Sequence, residues 1–181
     1  MHRKLTILAT AALAAPLLAL AADSLSHSDA SFLKDAEEAG LFEIQAGKIA
    51  LDKGQDAQVK TFAQQMIDDH TKANQDVEAL AQQKGLKLPT SPSIAQKAKL
   101  ETLSHWTKSG FDHHYADDQL SAHKDAVKLF TKTSTEAKDA DVKALAGKDL
   151  PTLQHHQDMA QQLADSTKST TAKMAAPAAS R

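Results

Sequence analysis

Apolar residues recur along this chain every three to four positions and almost nowhere in strict alternation, so its segments read as helices rather than strands. The first such segment runs from about Asp29 to Lys53, behind a cap at Ser28 or Asp29, and stops at Gly54. The second runs from about Asp56 to Lys84 and ends at Gly85, with Pro89 shortly after. A third begins between Gly110 and Asp112 and continues to about Glu136. The fourth spans about Ala140 to Ala164 with Pro151 inside it, where the missing N–H is expected to kink or restart the helix.

Between the second and third helices lies GLKLPTSPSIAQKAKLETLSHWTKSG, Gly85 to Gly110, which reads as a loop followed by a short helix from Ser93 to about His105. Extended, it could reach roughly 80 Å, about twice the length of a 25-residue helix. The third helix can therefore start at the far end of the bundle and run parallel to the second. Two hairpins joined by one long crossover form the ferritin-like topology, with a plain up-down bundle as the alternative. The expected fold is thus all-α: a ferritin-like four-helix bundle over residues 28–165, whose crossover carries a short extra helix. DAQVKTFA (Asp56 to Ala63) and DADVKALA (Asp139 to Ala146) each follow a turn and match in pattern, which makes the hairpins look related.

The two ends have a different character. MHRKLTILATAALAAPLLALAADS has a basic start, an apolar run from Leu5 to Leu20 and small residues at Ala19 and Ala21. That is the pattern of a secretory signal peptide over residues 1–21, cleaved after Ala21. It predicts a periplasmic or secreted protein. No helix after it is apolar all round, so no stable membrane insertion is expected once it is removed. Ser166 to Arg181 is polar and low in complexity, and reads as a disordered tail. The chain holds no cysteine, which excludes a disulfide framework and leaves the core to stabilise the fold. Without Arg3 and Lys4, the 21 basic residues fall to 19 against 23 acidic ones, about −4 with histidines neutral. No basic block exists to hold nucleic acid.

Each bundle helix also turns one strong metal-binding group inward. Glu43 falls among Phe32, Ala36, Gly40, Gly47 and Ala50; His70 falls among Phe62, Met66, Ala73 and Val77. His123 lies on the stripe of Tyr115, Ala126 and Phe130, with Gln119 one turn earlier. His156 lies on that of Leu153, Ala160 and Leu163, whereas His155 points about 100° away. The midpoint of Glu43 and His70 falls in the Gly54–Asp56 turn, and that of His123 and His156 in the Lys138–Asp141 turn. Members of each pair are therefore level in their hairpin, and all four groups can meet.

One carboxylate and three imidazoles suit one divalent transition metal such as zinc, copper or iron. The alternative is a structural polar layer, with the histidines bonded to Glu43, Gln119, Tyr115 or water. A two-iron oxidation site would need Glu-x-x-His pairs on two helices. Here Ile67, Leu120 and Leu153 stand three residues before the inward histidines, so an enzyme of that kind is unsupported. His27, His105, His113 and His114 read as surface or loop residues, and Asp68 and Asp69 as a solvated flank beside His70. Asp112 faces inward but about 16 Å from His123 along its helix, in another layer, as a cap.

FLKDAEEAGLFEIQAGKIAL, VKTFAQQMIDDHTKAN, FDHHYADDQLSAHKDAVKLF and LPTLQHHQDMAQQL together resemble the bacterial domain-of-unknown-function family numbered four-one-four-two. The resemblance spans about Ser31 to Leu163 and implies a ferritin-like bundle in the bacterial envelope. It maps the family's motif positions onto Glu43, His70, His123 and His156, and it implies no reaction. Two functions follow as expectations. One is an exported metal-binding bundle concerned with metal handling or stress protection. The other is a non-catalytic envelope protein that binds partners and uses its histidines structurally.

Overall fold

A computed structural model of the protein describes residues 25–175, so the expected leader at 1–21 lies outside the described residues. Within them the chain forms five helices and no strand: α1 (His27–Lys53), α2 (Ala57–Gln83), α3 (Ile94–His105), α4 (Lys108–Glu136) and α5 (Ala140–Ala175). The crossover helix α3 starts where its sequence signals a start. Ser93 caps it, with the Ser93 hydroxyl on the Gln96 amide and the Gln96 side chain returning to the Ser93 N–H.

Hydrogen bonds at the turns fix the direction of every helix. The Asp112 carboxylate, at the start of α4, accepts from the backbone N–H groups of Gln55 (3.0 Å) and Asp56 (2.9 Å) in the α1–α2 turn. The Asp29 carboxylate, at the start of α1, accepts from Lys138 (3.2 Å) and Asp139 (3.0 Å) in the α4–α5 turn. Each hairpin thus supplies an aspartate that caps the turn of the other. Lys84, just past α2, pairs with Asp139 and Asp141 at 2.7 Å, which places the end of α2 beside the α4–α5 turn. Helices α2 and α4 therefore leave the same end of the bundle and run parallel, the crossover topology and not the plain up-down one. Neighbouring helices, α1 with α2, α4 with α5, α1 with α4 and α2 with α5, are antiparallel.

Two apolar clusters fill the bundle. One, towards the α1–α2 turn, gathers Phe62, Met66, Phe111, Tyr115 and Leu163. The other, towards the α4–α5 turn, gathers Phe32, Val77, Leu80, Phe130, Val142 and Leu145. Helix α3 adds Leu100 and Leu103 to the first, each worth about 1.5–3 kcal/mol of burial. Because α3 lies on α1, Phe42 and Ala46 are buried as well, and the apolar stripe of α1 is wider than its periodicity indicates. At Gly47 a Cβ would lie 2.9 Å from the Ala63 carbonyl oxygen, so glycine is what lets α1 and α2 approach there.

Three expectations need correction. The α1 cap is Ser26, whose hydroxyl accepts from the Asp29 N–H, because the Asp29 side chain is engaged across the bundle. Helix α5 is continuous through Pro151, so of the expected kink or restart the restart does not occur. The carbonyl that loses its donor belongs to Gly147 on an exposed face, where water can bond it. The tail expected from Ser166 onwards is helical as far as Ala175. The buried stripe continues one step past Leu163, to Thr167, whose hydroxyl bonds the Leu163 carbonyl.

Candidate metal centre

Between the two apolar clusters the inward stripes become polar. On α4 the ridge Phe111, Tyr115, Gln119, His123 advances four residues at a time and is almost fully buried throughout. On α2 the stripe passes from Met66 to His70, which is 8% exposed. On α5 it passes from Leu153 to His156, which is 1% exposed, while His155 faces solvent. The three rings form a near-equilateral triangle, with centroids 5.8 Å apart for His70–His123, 5.5 Å for His70–His156 and 5.4 Å for His123–His156. One ring nitrogen from each lies within 4.8 Å of the other two.

Hydrogen bonds decide which nitrogens are free. His123 Nδ1 lies 2.9 Å from the Gln119 carbonyl oxygen. A carbonyl only accepts, so Nδ1 carries the proton and Nε2 keeps its lone pair. His156 Nε2 lies 2.9 Å from an Asp69 carboxylate oxygen, which by the same logic fixes the proton on Nε2 and the lone pair on Nδ1. Those two lone-pair nitrogens, His123 Nε2 and His156 Nδ1, are buried without a partner, and so is His70 Nε2. Burial holds the His70 imidazole well below its ordinary value, reinforced by His123 and His156. Burial also lowers His156, against the opposing bond to Asp69. Both rings are therefore neutral at neutral pH, the form that binds a metal.

Of the four groups expected to converge, three do. Glu43 is buried on α1, but its carboxylate accepts from the Gln119 side-chain amide at 2.6 Å, and it is not within ligand distance of the trio. Burial pushes its carboxyl above the usual range, with His123 and the Gln119 amide opposing. The sequence reading missed Asp69, taken for a solvated flank residue. Its position next to His70 on α2 faces α5, and the only hint was that a carboxylate one residue from an inward histidine can reach a neighbouring helix. The outer histidines do not form a second centre: Trp106 stacks on His114 at 3.4 Å and His113 lies 3.6 Å from Asp117. Among the described residues no other group of metal-binding side chains comes together.

Three buried imidazoles with ring nitrogens within 4.8 Å of one another, two of them oriented by a carboxylate and a carbonyl, make a donor set that fits one transition metal ion. The class is therefore a crossover-connected four-helix bundle with a three-histidine centre at mid-height. The chain belongs to the family described as Domain of unknown function (DUF4142), whose model matches residues 14–163. It is similar in structure to a solved chain titled "Crystal structure of DUF305 fragment from Deinococcus radiodurans". That match has a TM-score of 0.69 and covers 78% of this chain and 97% of that one. At 13% identity the likeness is one of fold. No curated protein matches the chain. Among the described residues, no helix is long and apolar enough to cross a membrane.

Proposed function

We propose that this protein is an exported helical bundle that holds one divalent transition metal ion, zinc, copper or iron, on His70, His123 and His156. The observation that carries the reading is the convergence of three buried histidines, with ring nitrogens within 4.8 Å of one another and one nitrogen of each without a hydrogen-bond partner. Four-coordinate ligand nitrogens at 2.0–2.1 Å stand about 3.4 Å apart, so the rings need to close by about 1.4 Å at most. Asp69 and Gln119 act as positioning residues, fixing the tautomers of His156 and His123. When bound, the metal supplies a Lewis-acid centre or, as copper or iron, a redox centre. The role that fits is metal handling or stress protection in the envelope, with the leader at residues 1–21 as the route there.

The test is elemental analysis of the mature protein purified without a histidine tag. One equivalent of metal is expected in wild type and in His155→Ala, and none in His156→Ala. Metal retained by His156→Ala places the site elsewhere. No metal in wild type, with melting unaffected by added zinc, copper or iron, leaves the histidines structural.

A further inference from the structure

We propose that the fourth coordination position of this centre is kept for an exogenous ligand, a small neutral molecule with one nitrogen, oxygen or sulfur donor on a compact apolar body. The inference rests on the metal reading above and adds to it the identity of what completes the site.

The protein offers three donors where tetrahedral ions take four. Glu43, the carboxylate that could have closed the site from α1, is held by the Gln119 amide instead. Two adjoining cavities reach the rings. The first, of about 180 Å³, is lined by His70 and His156, and the second, of about 220 Å³, by His70 and His123. His70 faces both, and Ala36, Ala39, Ala126 and Phe130 are common to the two. His70, His123 and His156 thus stand in the walls of these cavities, beside the small side chains of Ala36, Ala39 and Ala126.

The repeat relates the three histidines to the cavity wall. The two capping aspartates, Asp29 and Asp112, stand 83 residues apart, as do Asp56 and Asp139 at the two turns and Val59 and Val142 beyond them. The same offset carries His70 to Leu153, and His123 and His156 back to Gly40 and Ala73. Leu153, Gly40 and Ala73 all line the first cavity. The three imidazoles thus correspond by the repeat to a leucine, a glycine and an alanine on the wall of the first cavity, with Asn74 packed where a Cβ of Gly40 would lie.

The lining selects the ligand. Ala36, Ala39, Val77, Ala126 and Phe130 give the first cavity an apolar wall, and the carboxylates of Asp69, Asp76 and Asp149 on its lining disfavour a multiply charged anion. Charges sit at the rim with both signs present, and Lys148 there is paired with Asp76 at 2.6 Å. An apolar cavity of about 150 Å³ accommodates a six-membered ring, so a compact five- or six-membered ring bearing a donor atom matches the first cavity in size.

Cobalt(II), a coloured substitute for zinc, gives a readout independent of any activity. The metal-loaded full-length protein is titrated with imidazole, and with phosphate as the charged control, while the visible d–d bands are followed. Imidazole is expected to shift the bands saturably and phosphate to leave them unchanged. Ala39→Leu and Ala126→Leu, each adding bulk to a half-buried wall position, are expected to keep cobalt and to weaken the imidazole response at least tenfold. Using two filling variants guards against one that fails to fold. Bound cobalt whose bands ignore imidazole overturns this inference alone. A response undiminished in both folded variants refutes the cavity as the ligand's place. Absence of cobalt binding in wild type removes the metal reading and this one together.

Discussion

Asp69→Asn isolates the contribution of orientation to the proposed metal binding. The substitution keeps an oxygen that can accept from His156 Nε2 but removes the negative charge that raises the basicity of the ring. Loss of such a partner costs about 10–100-fold in metal affinity, or about 1.4–2.7 kcal/mol. With free zinc held near 1,000 times the wild-type Kd, binding adds about 4.1 kcal/mol to wild-type stability and about 1.4–2.7 kcal/mol to the variant. At about 2–4 °C per kcal/mol for a domain of this size, the zinc-induced rise in Tm falls from about 8–16 °C to about 3–11 °C. The metal-free Tm should hardly move, since the Asp69 side chain is 40% exposed and its bond to His156 survives. The assay is thermal unfolding in a zinc buffer, with Asp68→Asn, exposed and bonded to Gln64, as the control for net charge. An equal zinc-induced rise in wild type and Asp69→Asn refutes the orienting role. An equal loss in Asp68→Asn reduces the effect to overall charge.

Two further outcomes concern pH and the turns. Burial depresses His70 and His156 below their ordinary 6.5, so their contribution to metal-free stability is complete above that value and is lost as pH falls through their folded values. Glu37 has the opposite sign: burial and the nearby Glu78 push its carboxyl up from 4.5 to about 7, so its contribution is complete below 4.5 and lost as pH rises through about 7. Urea midpoints of the metal-free protein should therefore fall on both sides, and Glu37→Gln should flatten only the alkaline side; an alkaline side left unchanged contradicts the assignment. Asp112→Ala leaves two turn N–H groups without their acceptor and should cost about 1–3 kcal/mol in urea unfolding. Asp29→Ala should cost more, because Asp29 as a residue is only 2% exposed; a smaller loss for Asp29→Ala would mean water replaces it freely.

How far the sequence reaches depends on the distance over which each decision is made. Helix phase is local, so the inward turn of His156 and the outward turn of His155 followed from periodicity alone. Level along the bundle was equally accessible, because two antiparallel helices share a turn and the midpoints of Glu43–His70 and His123–His156 fall in those turns. Side-chain choices made across helices were not accessible. Glu43 has the right phase and level, but Gln119 from α4 takes its carboxylate. Asp69 has the wrong phase by periodicity and yet reaches His156, because a flank residue of α2 borders α5. The α1 cap moved to Ser26 for the same reason: Asp29 is a good local cap drawn away by a turn more than a hundred residues later in the chain.

The balance of energies in the middle layer argues that it is built to be occupied. A buried ring nitrogen costs about 1–3 kcal/mol wherever it is left unpaired, so three of them put at stake an amount comparable with the 5–15 kcal/mol by which a domain of this size is stable. The two apolar clusters on either side can carry that cost, which is why a histidine triangle is tolerated between them and would not be within either. Tolerance alone does not explain convergence, however. Structural histidines would lower the cost by turning each lone pair towards a donor, and one is at hand in the Gln119 amide, which goes to Glu43 instead. The two partners that do engage the rings, Asp69 and the Gln119 carbonyl, occupy the outward nitrogens and leave the inward ones bare. Partners that hold the outer edge of each ring and leave the inner edge free orient ligands around a central ion. An ion at that centre would bond all three histidines at once.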